Sequence, residues 1–159
     1  LGEYDSIAIY PTRKLIPTNT VSPVENDLRV SISKSEVYDQ INAYREQKGL
    51  SKVTVDSRLE SSSLHKAEDM VNNNYFDHKN PWGFINGAGY TFSYAAENLA
   101  INYYSSSSLV RGWQNSPSHN QALLDERNQH MGLSYICGVS IAEHQNTCLA
   151  VIHFAKEQN

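Results

Sequence analysis

Charge is scarce in this 159-residue chain: 13 Lys and Arg stand against 17 Asp and Glu, for a net charge of −4 with histidines neutral. That balance excludes the basic stripe by which proteins grip nucleic-acid phosphates. Long hydrophobic runs are missing too, and none approaches the ~18–20 residues that cross a bilayer. The first residues lack the basic-then-apolar pattern of an export signal, as expected of a chain trimmed to its mature form. Only five prolines occur, and three of them, Pro11, Pro17 and Pro23, fall near the start. Spaced so, they exclude a long helix or a central strand there. Cysteine is limited to Cys137 and Cys148, which excludes a CxxC-type metal or redox motif. HExxH and GxSxG are absent, and with them two motif-borne hydrolase types. The glycine-rich NGAGY at 86–90 has neither the lysine nor the helix signal of a phosphate loop.

What is present suits one domain of ordinary size, with 40% hydrophobic residues to build a core. Residues 1–34 read as a polar N-terminal extension or tether, and residues 35–159 as the folded domain. Within the extension, SIAIY (6–10) and LRVSIS (28–33) have the composition to dock as short strands. A first helix is expected over 35–48, with Ser35 as N-cap, Val37, Ile41 and Tyr44 on one face, and Gly49 just past its end. Asp56 is placed to cap a second helix over 57–73, with Leu59, Ser63, Ala67 and Met70 as its stripe. The segment YFDHKNPWGFINGAGY (75–90) reads as an aromatic-rich loop. SYAAENLAINYY (93–104) is expected to be extended or briefly helical. A short helix follows, burying Leu109, Val110 and Trp113, and another begins with Ser116 as N-cap and Pro117 at its first position.

The C-terminal part is β in character. Met131, Leu133, Tyr135, Cys137, Val139 and Ile141 alternate with smaller or more polar residues, AEHQN (142–146) turns, and TCLAVIHFA (147–155) returns. Cys137 and Cys148 then lie at similar distances from the turn on facing strands, where a disulfide is geometrically reasonable. Such a bond fits an oxidising, exported setting. Helices followed by a terminal hairpin point to an α+β sandwich.

Six histidines are the natural candidates for chemistry. His65, mid-helix, and His144, in the turn, are expected to be solvated. His130 and His153, at and within strands, are expected to be structural. His78, at a helix-to-loop transition, and His119, in the first turn of a helix, are placed to point into a cleft. Glu97, inside the apolar AAENLA (95–100), is a carboxylate that needs a partner if it is buried. Ser116 and Ser118 sit too close in sequence to His119 to meet it as nucleophile and base.

The order and spacing of INAYREQKGLSKVTVDSRLESSSLHKAEDM, YFDH, AAENLA, GWQNSPSHNQALL and HMGLSY resemble bacterial members of the CAP superfamily. That family is also called SCP-like, after its cysteine-rich secretory, antigen 5 and pathogenesis-related 1 proteins. The resemblance covers roughly residues 35–157. It implies a three-layer α-β-α sandwich with a central antiparallel sheet and a cleft lined in many members by two His and two Glu. Matched residue by residue, His78 in FDH and His119 in SPSHN take the histidine places, and Glu97 in AEN takes one glutamate place. Ser116, in the same SPSHN motif, is counted with the cleft. The second glutamate has no counterpart, because Gln114, Asn115 and Ser116 follow Trp113.

The resemblance also bears on function. No cofactor is required. Zn²⁺ or another divalent cation at His78 and His119 is one option for such a cleft, and acid/base work is another. A third is that Glu97 only accepts hydrogen bonds from the imidazoles and orders the cleft. Family members are secreted or surface-attached and act mostly by binding lipids or sterols, channels, or host proteins. The expectation is therefore an extracellular or outer-surface binding module, a monomer, with residues 1–34 as spacer from a lipoprotein-type membrane anchor. Its partner is an unidentified protein or a lipid or sterol ligand. No clear counterpart of the family's sterol-associated loop is found. A metal-dependent hydrolase using the same cleft is the alternative, and the incomplete tetrad argues against it.

Overall fold

The computed structural model describes residues 30–158. The SIAIY segment, and the extension up to residue 29, lie outside the described residues. The elements run α1 (Lys34–Gln47), β1 (Thr54–Val55), α2 (Ser57–Asn72), α3 (Pro81–Gly87), β2 (Phe92–Ile101), α4 (Ser106–Asn115), α5 (Pro117–Leu124), β3 (His130–Ile141) and β4 (His144–Glu157). One four-stranded sheet has the order β1-β3-β4-β2. It is antiparallel except at one edge, where β1 pairs with β3 in parallel. The mixed α+β fold expected from the sequence is the one observed.

Helices cover both faces. Val37, Ile41, Leu109, Trp113 and Leu123, from α1, α4 and α5, share one core with Met131, Ile152 and Phe154. On the other face Ala67 and Met70 of α2 pack with Leu99, Ile136 and Val151, and Ile85 of α3 packs with Leu59 and Ala155. A sheet buried on both faces shows weaker alternation in burial than a one-sided sheet. Accordingly Met131, Gly132, Leu133 and Ser134 are all buried.

Local chemistry accounts for most helix ends. Asp56 caps α2 by accepting the Arg58 N–H at 2.8 Å. At the end of α1, Gly49 has φ +77°. Its N–H bonds the Glu46 carbonyl and that of Leu50 bonds the Arg45 carbonyl, the two bonds of a Schellman ending. Three expectations need correction. The N-cap of α1 is Ser33, not Ser35, and it makes no side-chain cap bond. Tertiary ties set that start instead: Ser31 bridges Ser105, and the Ser33 N–H bonds the Ser106 hydroxyl at 2.9 Å. The 75–90 loop contains a helix, α3, entered through Asn80 with Pro81 in its first turn. Finally, the alternation of β3 does not keep one face. A register shift follows Cys137, at Gly138 with φ +75°, and it carries Val139 and Ile141 over to the α2 side. A single extra residue is enough to reverse which face a side chain meets.

Candidate functional site

The site is built on β2, an edge strand paired only with β4 among the described strands. Successive side chains of a strand point to opposite faces. Leu99 therefore joins the α2 core and Ala100 the α1/α4/α5 core. By the same alternation Glu97 faces α2 and Asn98 faces α5. Both residues are buried.

Glu97 is fully engaged. Its Oε1 accepts from His78 Nδ1 at 2.8 Å, and its Oε2 accepts from His153 Nε2 at 2.8 Å. The Glu97 side chain is 1% exposed, His153 0% and His78 58%. Behind His153, the Ser62 hydroxyl lies 2.6 Å from Nδ1. A carboxylate only accepts, so the two ring nitrogens facing it carry the protons. In neutral His153 the Ser62 O–H then donates to Nδ1; with Nδ1 protonated, the hydroxyl accepts from it and donates instead to the Leu59 carbonyl at 3.0 Å. In neutral His78 the remaining lone pair sits on Nε2, the ring nitrogen not tied to Glu97.

His119 reaches the site from the other face. Its carbonyl accepts from Asn98 Nδ2 at 3.0 Å, so neighbouring residues of one strand hold the two histidine-bearing segments from opposite sides. The His119 imidazole is half-buried. Burial pushes its pKa below the usual histidine value, and the nearby charge of His78 pushes it the same way. The expected pairing of His119 with Glu97 is thus corrected. The second imidazole on the carboxylate is His153, opposite Glu97 in the β2–β4 register, while the His119 segment is held on the other face through its carbonyl. Ser116 joins α4 to α5: its carbonyl accepts the Asn120 N–H at 2.8 Å, and its hydroxyl makes no cap bond.

The structural role expected of His153 fits its full burial. What sequence reasoning missed is its partnership with Glu97. A signal existed, since AVIHFA, like AAENLA, sets one ionisable side chain in an apolar strand, and two such residues are best accommodated opposite each other. Lys66 was missed as well. It is buried, its Nζ donates to the Lys79 carbonyl at 2.7 Å and to the Tyr75 hydroxyl at 3.1 Å, and burial lowers its pKa against the opposing pull of Glu97. The other histidines behave more simply. His65 is exposed, His130 Nδ1 pairs with the Tyr90 hydroxyl at 2.6 Å, and His144 Nδ1 pairs with Asn102 Nδ2 at 2.9 Å.

A three-ligand metal site from His78, Glu97 and His119 does not fit this geometry. Both Glu97 oxygens are spent on imidazoles. Among the described residues no three His, Cys, Asp or Glu side chains gather to hold a metal ion. Outside that network there remain Nε2 of His78, whose Nδ1 is held on the carboxylate, and the half-buried imidazole of His119.

Cys137 and Cys148 form the expected disulfide, directly opposite one another across β3 and β4.

A sheet layered between helices, with the His78–Glu97–His153 network on its edge strand, defines an α-β-α sandwich of the SCP-like class. Residues 38–150 match the model of the cysteine-rich secretory protein family, CAP, and the chain belongs to that family. Two Bacillus subtilis (strain 168) proteins are similar in sequence. The uncharacterized protein YkwD is 30% identical over 133 residues, 80% of this chain and 51% of that protein. The uncharacterized membrane protein YlbC is 32% identical over 125 residues, 76% of this chain and 36% of that protein. The chain thus spans about half of one relative and about a third of the other. Among solved structures, an outer surface protein from Borrelia burgdorferi has a TM-score of 0.65 at 23% identity, covering 79% of this chain and 95% of that one. An extracellular SCP-domain protein from Bacillus anthracis has a TM-score of 0.66 at 20% identity, covering 88% and 45%. At such identities these likenesses speak for the fold.

Proposed function

We propose that this domain is an exported or surface-attached binding module, non-enzymatic, that engages a protein partner at the His78–His119 cleft. The observation that carries this reading is the saturation of Glu97. A carboxylate with both oxygens committed to imidazoles is neither a free general base nor a free metal ligand. It serves to hold His78 in one orientation. Export is supported by the disulfide and by the outer-surface and extracellular descriptions of the structural relatives. A spacer role for the N-terminal extension, from a lipoprotein-type anchor, belongs to the same proposal, with residues 31–34 given to the domain by their ties to Ser105 and Ser106 and by the start of α1; it is checked by reading the unprocessed gene product upstream of Leu1.

The second reading, a metal-dependent hydrolase, rests on the outward Nε2 of His78 beside His119. One experiment separates the two. Purified wild-type protein and the His78→Ala, His119→Ala double variant are assayed on peptide, ester and glycan libraries, with and without added Zn²⁺. The binding reading expects equal, background turnover from both proteins. Turnover in the wild type that the double variant loses would replace it with the hydrolase. Sterol and phospholipid vesicle binding is measured in parallel, and saturable binding there would replace the protein partner with a lipid ligand.

A further inference from the structure

Helix α2 places two polar side chains four residues apart, Ser62 and Lys66, and both are fully buried. Residues at that spacing share a helix face. Ser62 holds His153 on one flank of Glu97. Lys66 works on the other flank. Its ammonium donates to the Lys79 carbonyl at 2.7 Å and the Tyr75 hydroxyl at 3.1 Å. It also lies 4.8 Å from the Tyr75 ring centre and 5.7 Å from that of Phe84. The Tyr75 hydroxyl in turn donates to Asp69 Oδ2 at 2.5 Å.

Fully buried lysines are rare, because an ammonium out of water must be repaid by hydrogen bonds and opposite charge. Both named acceptors of this one belong to the short segment between α2 and α3 that carries His78, and Lys79 is its immediate neighbour. The ends of that segment are marked by Asn74 at φ +53° and Asn80 at φ +54°. Asparagine takes left-handed backbone more readily than other non-glycine residues, so these two positions mark the turns that bound the segment. The His78 ring itself is mostly exposed, so packing does little to orient it.

We infer that Lys66 is the positioning residue of the cleft: by holding the Lys79 carbonyl it fixes the His78 segment so that Nδ1–H meets Glu97 and Nε2 faces outward. This concerns the geometry of His78 and holds whichever ligand the cleft takes. Lys66 touches no ligand in this role and acts only through the histidine.

The test reads the His78 tautomer directly, from ring ¹⁵N shifts at about pH 8, above the usual histidine pKa. Wild type is expected to show one tautomer, protonated at Nδ1. Lys66→Met, which keeps the length and removes the donors, is expected to give the mixture of tautomers typical of a free imidazole. Lys66→Arg restores donors at that position and is expected to restore the single tautomer. Ser63→Ala is the control, since it removes a buried bond of the same helix to the Gly132 carbonyl on β3 and not a contact of the segment, and the tautomer is expected to stay. Retention of the Nδ1–H form in Lys66→Met would overturn the inference, as would an equal loss in Ser63→Ala. Should Lys66→Met not fold, Lys66→Gln is judged by the same two criteria.

Discussion

At the scale of single residues, the site is a problem of satisfying buried polar groups. An unpaired carboxylate in the interior costs several kcal/mol, and removing one partner of a buried charged pair costs about 3–5 kcal/mol. The Ser62–His153–Glu97–His78 chain meets that demand bond by bond. His119 stands apart from it and reports the electrostatics of the cleft. Its pKa lies below the ordinary value near 6.5, first through burial and second through the charge of His78. Below that ordinary value the unfolded chain binds more protons at this position than the folded one. The contribution to stability is therefore complete above about pH 6.5 and declines as pH falls toward the folded pKa. Titration of His119 by NMR is expected to give a midpoint under the usual histidine range. His78→Ala is expected to raise it part of the way, because burial persists. An unchanged midpoint in that variant would mean that the two rings do not sense each other.

At the scale of elements, position depends on how closely backbones approach. Helix α2 lies against β3 at Gly132, where an added Cβ would overlap the backbone at Leu59 and Glu60. The Ser63 hydroxyl donates to the Gly132 carbonyl at 2.6 Å across the same contact. Gly132→Ala is expected to push α2 off the sheet and to cost about 1–3 kcal/mol or somewhat more, as overpacking does, read as a lowered urea midpoint with an unchanged slope. Helices α1, α2, α4 and α5 were legible in the sequence, because caps and 3.6-residue stripes are local signals, whereas α3 was read as loop because glycines and aromatics crowd its seven residues. Asp56, Gly49, Ser116 and Pro117 all stand at the ends they announce. The start of α1 was not legible, since it depends on Ser106, far along the chain. Nor was the bulge at Gly138, which alternation alone does not reveal. His78, Glu97 and His119 were singled out by their local positions and then matched through the family's motif order, but which imidazole meets Glu97 depends on strand register. His153 becomes its partner only when β2 and β4 are paired.

At the scale of the whole molecule, the question is how far the fold depends on its one disulfide. Cys137 and Cys148 close a short loop, 11 residues apart in sequence. In the chain-entropy account a loop of that size contributes about 2–3 kcal/mol. The rest of the β3–β4 ladder stands on its own hydrogen bonds and on two packed faces, from His130 opposite Ala155 up to the cysteines. The Glu97–His153 pair lies toward the middle of β4, in the stretch flanked by β2 and β3. Reduction should therefore weaken the molecule without disassembling the site. The Cys137→Ala, Cys148→Ala double variant is expected to melt about 6–12 °C lower than the oxidised protein. It is expected to keep the wild-type His78 and His153 ring ¹⁵N shifts. Loss of those shifts in a variant that still folds would mean that the β3–β4 bridge also governs how β4 pairs with β2 at Glu97 and His153, and that the domain assembles its site only under oxidising conditions.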